Sequence, residues 1–114
     1  MPKKNAGQLR DIEIDWLLAQ MLGVDLEEES MSMGKGRMWS PTHQWGQMGP
    51  ILDALFPALQ MRDPAKPVGH IVGEGKFLCI TKGAIAAGRN YRQAVGRAAV
   101  IKTFGSSMDL PEWL

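Results

Sequence analysis

Cysteine is nearly absent from this chain: Cys79 is the only one in 114 residues. A lone thiol rules out an internal disulfide framework and any multi-thiolate zinc site. Histidine is almost as scarce, with only His43 and His70. No pair among these three preferred ligands has metal-ligand spacing, so neither a metal nor a cofactor is expected. Long apolar runs are missing too, and the longest fall far below the roughly 18 residues needed to span a bilayer. Met1–Arg10 is polar and basic and leads into no apolar segment of signal-peptide length, so the expected location is the cytoplasm. Charge of one sign is also lacking. The 13 Lys+Arg against 12 Asp+Glu leave a net charge of +1, which excludes strong sequence-independent attraction to nucleic acid or acidic membranes.

What is present suits a single domain. The chain is 45% hydrophobic, and a chain this long buries roughly two-thirds of its unfolded surface without covalent staples. Residues 1–8 read as a disordered start and residues 9–114 as one domain. Leu9–Leu22 reads as a helix, because Leu9, Ile12, Trp16 and Ala19 recur at three or four residues, as do Ile14, Leu17, Leu18 and Met21. Arg10, Asp11, Glu13, Asp15 and Gln20 supply its polar positions, and Gly23 its stop. Val24–Glu28 and Arg37–Ser40 read as a weak hairpin around the Gly- and Ser-containing Ser30–Gly36 turn, with Glu27–Glu29 a solvated acidic edge.

Pro50 is expected in the first turn of a short helix whose apolar face is Ile51, Leu52, Leu55 and Phe56. Gln60–Gly69, with Pro64 and Pro67, reads as an exposed loop. His70–Val72 and Lys76–Thr81 read as a hairpin across Gly73-Glu-Gly75, while Gly83–Gly88 is ambiguous. Asn90 and Gln93 form a capping-box-like start for a last helix, with Tyr91, Ala94, Val95, Ala98, Ile101 and Phe104 on one face and Gly105 at its end. The tail from Ser106 is expected to dock back onto the domain. The fold class is therefore α+β: a small antiparallel sheet of about three to five strands against two main helices and one short one.

Few residues form a chemical constellation. Cys79 lies in the apolar Phe77–Ile80 run and reads as an inert core thiol. Gly34-Lys-Gly36 and Gly73-Glu-Gly75-Lys76 lack phosphate-loop spacing and read as turns. Ser40 and Thr42 can bind an anion, or serve ordinary turn chemistry. Arg89, Arg92, Arg97 and Lys102 give the last helix a basic content; Arg92, Arg97 and Lys102 spread round it and read as a solvated face. The alternative is an anion patch, with Arg89 and Arg92 the best candidates because they flank the helix N-terminus. Trp16 is expected in the core; Trp39 and Trp45 either pack the core or stack on a ligand.

The order of features carries a resemblance. Met21-Leu-Gly23 closes a helix. A central Trp39-Ser-Pro-Thr-His-Gln-Trp45-Gly-Gln-Met-Gly-Pro-Ile51 follows, then Tyr91-Arg-Gln-Ala-Val-Gly-Arg-Ala-Ala-Val-Ile-Lys-Thr-Phe-Gly105 and Met108-Asp-Leu-Pro-Glu-Trp-Leu114. This resembles the NinX-like family, small proteins of tailed phages and prophages without an assigned activity. Ser40, Pro41, Thr42 and Trp45 match the family segment's opening, and Gly49, Pro50 and Ile51 its close; Gly105, Leu110, Pro111 and Glu112 match its tail. Two positions depart from the pattern: Met48 replaces the first residue of a Gly-Gly pair, and His43 stands where a small or acidic residue is common.

The resemblance implies a phage accessory protein in the host cytoplasm. No acid–base or nucleophile constellation stands out, so a non-enzymatic role is expected. The segment from Ser40 to Pro50 joins hydroxyls, an aromatic ring, permissive backbone and a helix start, which is a recipe for a pocket. The expected ligand is small and anionic, nucleotide-like, held by Ser40, Thr42, Trp45, Gly49, Arg89 and Arg92, with antagonism of host defence signalling as one use. The alternative is a protein-binding inhibitor or adaptor acting on a host complex, suggested by the surplus of Met and Trp. Nucleic acid is not an expected partner, because no basic stripe with interleaved aromatics is present. A homo-oligomer completing the pocket is a further expectation.

Overall fold

A computed structural model describes residues 3–24, 39–55, 57–61 and 71–111. Among these residues the fold is α+β, with three helices and two small antiparallel sheets. In chain order the elements are β1 (Lys3–Asn5), a 3-10 turn (Ala6–Gln8), α1 (Asp11–Leu22), α2 (Trp45–Leu55), β2 (Ala58–Met61), β3 (Phe77–Thr81), β4 (Ala84–Gly88), α3 (Tyr91–Phe104) and β5 (Ser107–Asp109).

The disordered start expected over residues 1–8 is corrected over residues 3–8. Lys3, Lys4 and Asn5 pair with Asp109, Met108 and Ser107. Ala6 is fully buried in the core, and its N–H donates to the Ser106 carbonyl at 2.9 Å. A polar segment becomes ordered because β5, separated from the end of α3 by two residues, offers it a strand edge. The same pairing shows the tail docking as expected, with Met108 and Leu110 buried.

α1 begins at Asp11, two residues later than the periodicity suggests. Glu13 reaches back to accept from the Arg10 N–H at 2.7 Å, closing the first turn. The helix stops at Gly23 with φ 73°, as its position predicts. α2 is corrected more substantially, because Pro50 lies in the middle of the helix and not in its first turn. A proline there leaves the carbonyl four residues earlier without a donor. That carbonyl belongs to Gly46, which is exposed like Pro50 itself, so water can satisfy it.

β2, β3 and β4 form one antiparallel sheet in that order. Gln60 and Met61, expected in a loop, pair with Leu78 and Phe77. The hairpin is also relocated. It joins β3 to β4 across Lys82-Gly83, with Ile80 opposite Ile85 and Thr81 opposite Ala84. Gly83 has φ 94°, a conformation that side chains other than glycine rarely adopt, and this sets the turn there. Val72 instead makes a single parallel bridge to Ala86. The hairpin drawn between Val24–Glu28 and Arg37–Ser40 lies outside the described residues, apart from Val24, Trp39 and Ser40.

α3 occupies the centre. Asn90 caps it by accepting from the Gln93 N–H at 2.8 Å, and Gly105 ends it. Gln93 through Val100 are all buried, so the middle of the helix is enclosed on every side, while its two ends reach the surface. α1 crosses it closely at Gly96, where an added Cβ would come within 2.6 Å of the Ile14 side chain. Ile14, Leu17, Leu18, Met48, Ile51, Cys79, Val95 and Val100 form the heart of the core. Trp16 packs against it while remaining partly exposed. Burial raises the Cys79 thiol pKa to about 11, which keeps it protonated at neutral pH.

Candidate functional site

Asp15 organises the surroundings of the central Ser-Pro-Thr segment. Its side chain lies inside the protein, fully buried, one turn into α1. The backbone N–H of Thr42 donates to Oδ1 at 2.9 Å, the Thr42 hydroxyl to Oδ2 at 2.8 Å, and the Ser40 hydroxyl to Oδ2 at 3.3 Å. The indole N–H of Trp39 donates to the Asp15 carbonyl at 2.7 Å. Gln47 from the first turn of α2 accepts from the Ser40 N–H at 2.6 Å. Ser40 and Thr42 are buried and serve an anion, but that anion is the chain's own carboxylate. Their expected place as ligand contacts is corrected: a buried carboxylate needs several donors, and these two residues supply them.

His43 lies on the outer side of this cluster and is half exposed. Its Nδ1 is 2.9 Å from the Ser40 hydroxyl and 3.1 Å from that of Thr42. Both hydroxyls also lie against Asp15, so His43, Ser40, Thr42 and Asp15 form one polar cluster. His43 Nε2 approaches Asp11 Oδ2 at 3.6 Å.

Asp11 opens α1 and faces the start of α3. Gln93 donates to its Oδ1 at 2.8 Å, and the Arg89 guanidinium pairs with its Oδ2. Gln93 also accepts from the Arg89 N–H at 2.8 Å, so one side chain holds both the helix entry and the carboxylate. Arg92, in the first turn of α3, donates from Nε to the Thr42 carbonyl at 2.9 Å. Its guanidinium carbon lies 5.3 Å from the centroid of the Trp45 ring. Trp45 is 45% exposed at the start of α2, and Gly49 follows one turn on, with open space where a side chain would begin.

The structure thus gathers the expected residues round one edge of the molecule and sorts them. Trp45, Arg89 and Arg92 reach the surface, joined by His43. Ser40 and Thr42 stay inside. Gly49 flanks Trp45 but brings no backbone into close approach. The reading of Arg97 as part of a solvated face is corrected. It is buried, donating to the carbonyls of Ala6 at 3.1 Å, Ala87 at 2.6 Å and Leu9 at 3.1 Å. Burial first, and then the charge of Arg89, pull its pKa below the ordinary guanidinium value.

Asp11, Asp15 and Gln93 escaped the sequence reading as site-forming residues. Asp11 and Asp15 are four apart and share a helix face, and Asp15 stands between Ile14 and Leu17, where a solvated acid is out of place. That was the available signal. Among the described residues no group of three or more His, Cys, Asp or Glu is placed to hold a metal ion. No helix among them is long and apolar enough to cross a membrane. No protein-family model matches the chain, and neither a curated protein nor a solved structure is similar enough to count as a match.

Proposed function

We propose that the protein binds a small anionic, nucleotide-like ligand, without catalysis, on the surface formed by His43, Trp45, Arg89 and Arg92. One observation carries this reading. Among the described residues Arg92 spends only Nε on a hydrogen bond, and its guanidinium lies over a half-exposed indole with its terminal nitrogens unpaired there. A planar guanidinium fork recognises phosphate oxygens, and an aromatic face beside it accepts a base. Asp11 compensates Arg89, so attraction is confined to one spot and does not extend to polyanions in general. On the NinX-like resemblance, such a ligand would be a host signalling nucleotide that a phage protein removes from circulation.

Calorimetry, thermal shift and Trp fluorescence against cyclic and linear nucleotides test this. A bound ligand raises the melting temperature by mass action. Trp45→Ala and Arg92→Ala should each weaken binding by about tenfold or more, the scale of one charge-assisted contact. Absence of any response at millimolar ligand sinks the reading.

A second reading, binding to a host protein, rests on different residues. Leu59 and Met61 are exposed on β2, an edge strand without a charged residue. An affinity pull-down that recovers one partner with the parent chain and loses it with Leu59→Lys, while nucleotides give no response, would favour this alternative.

A further inference from the structure

We propose a second binding site, an aliphatic groove that accepts the hydrocarbon chain of a medium-length carboxylate. A cavity of about 440 Å3 opens beside the β3–β4 turn, within the size range of small-ligand pockets. Its walls are Val72, Ile80, Ala84, Ile85 and Ile101, with Thr81 and Gly83 at the turn. None of these residues belongs to the Trp45 surface.

The wall is built from three segments that the fold holds firmly. Ile80 and Ile85 are opposite each other in the hairpin. Val72 is fixed beside them by a 3.0 Å bond from its N–H to the Ile85 carbonyl and a 2.8 Å bond from the Ala87 N–H to its own carbonyl. Ile101 enters from the last turns of α3. Val72, Ile80, Ile85 and Ile101 remain only partly buried, so four branched aliphatic side chains stay partly wet. Phe104, one turn beyond Ile101, is also exposed and continues the apolar path outward.

The chemistry of the wall selects the occupant. It holds no aromatic ring, so it offers a flexible chain contact without a stacking platform. Its one side-chain hydroxyl, on Thr81, already donates to the Leu55 carbonyl at 3.0 Å. Polar recognition must therefore come from the rim. Lys82 lies between Thr81 and Gly83, and Lys102 follows Ile101. Both are exposed, and among the described residues neither has an ion-pair or hydrogen-bond partner. Two exposed lysines, each next in the chain to a wall residue, complement an acid with a saturated tail. A methylene occupies about the 30 Å3 of a water molecule, so a chain of roughly ten carbons fits with its head in solvent.

Calorimetry on the full chain, with octanoate, decanoate and dodecanoate kept below their micelle concentrations, tests the proposal. Affinity should rise about fourfold per added methylene. Decanoate should bind more tightly than decyltrimethylammonium. Lys82→Glu combined with Lys102→Glu should weaken decanoate about tenfold and reverse that preference. Ile101→Gln should lose binding while keeping the parent circular dichroism, and Trp45→Ala should leave binding unchanged. Equal affinity for both head groups, or no heat from dodecanoate, overturns the proposal. So does light scattering that shows a dimer which Ile101→Gln abolishes, because the groove would then hold a second copy of this chain.

Discussion

Asp15 shows how one side chain can reassign its neighbours. A carboxylate fully enclosed by protein loses its hydration, and only donors held close by the fold replace it. Thr42 gives two of them and Ser40 one, and in doing so they tie the segment around Pro41 onto α1. The hydroxyls that made this segment look like a ligand loop are thereby withdrawn from the surface. Asp15→Ala removes the acceptor of the buried Thr42 N–H and of both hydroxyls, so we expect a loss of about 3 kcal/mol or more in urea unfolding. Ser40→Ala, which removes the longest of the three bonds, should cost about 1 kcal/mol. A stability for Asp15→Ala within 0.5 kcal/mol of the parent would contradict this account. Sequence reasoning found Ser40 and Thr42 and missed Asp15, because hydroxyls beside a proline form a recognisable motif whereas an acid within a helical period reads as solvated.

At the scale of elements, periodicity and caps were the readable part. Gly23, Asn90 and Gly105 mark helix ends by local chemistry that needs no distant partner, and all three stand where expected. β4 was not readable, since Ala-Ile-Ala-Ala-Gly has almost no strand-forming side chains apart from Ile85. Its smallness is explained by what lies on it: at Gly88 an added Cβ would meet the Ala94 backbone nitrogen at 2.7 Å, so α3 rests almost directly on the strand. The same closeness governs α1 and α3 at Gly96. In an open helix, replacing glycine by alanine gains about 1 kcal/mol. Here the added methyl overlaps Ile14, and we expect Gly96→Ala to destabilise by about 1–3 kcal/mol. Thermal unfolding decides the matter, and a rise in melting temperature would show that the two helices can separate at no cost.

For the molecule as a whole, the short β1–β5 sheet closes residues 3–8 over the core. It is fastened by Arg97, whose guanidinium donates to the Ala6 and Leu9 carbonyls of the N-terminal segment and to that of Ala87 on β4, and by Lys4 on β1, which pairs with the buried Glu13 of α1 at 2.7 Å. Burial alone would raise the Glu13 pKa; hydrogen bonds from Lys4 and from the Arg10 backbone and side chain outweigh it and hold the carboxyl below its ordinary 4.5. A group lowered in this way contributes stability that is complete above pH 4.5 and is lost as pH falls through the folded value. Acid unfolding of Glu13→Gln should therefore depend less on pH below 4.5 than that of the parent, although the variant is less stable at neutral pH. Parallel stability curves for the two chains would exclude Glu13 as the source.

The sequence by itself determined the α+β class and the capped helix ends, and it singled out Cys79, Trp45, Arg89 and Arg92, because each follows from local propensity or from residue type. Only the tertiary structure decided which of those residues face solvent, that the N-terminal segment is a strand, and that Arg97 and Asp15 are interior. Burial of a charge depends on donors and acceptors brought from segments tens of residues apart, and no local pattern records that pairing.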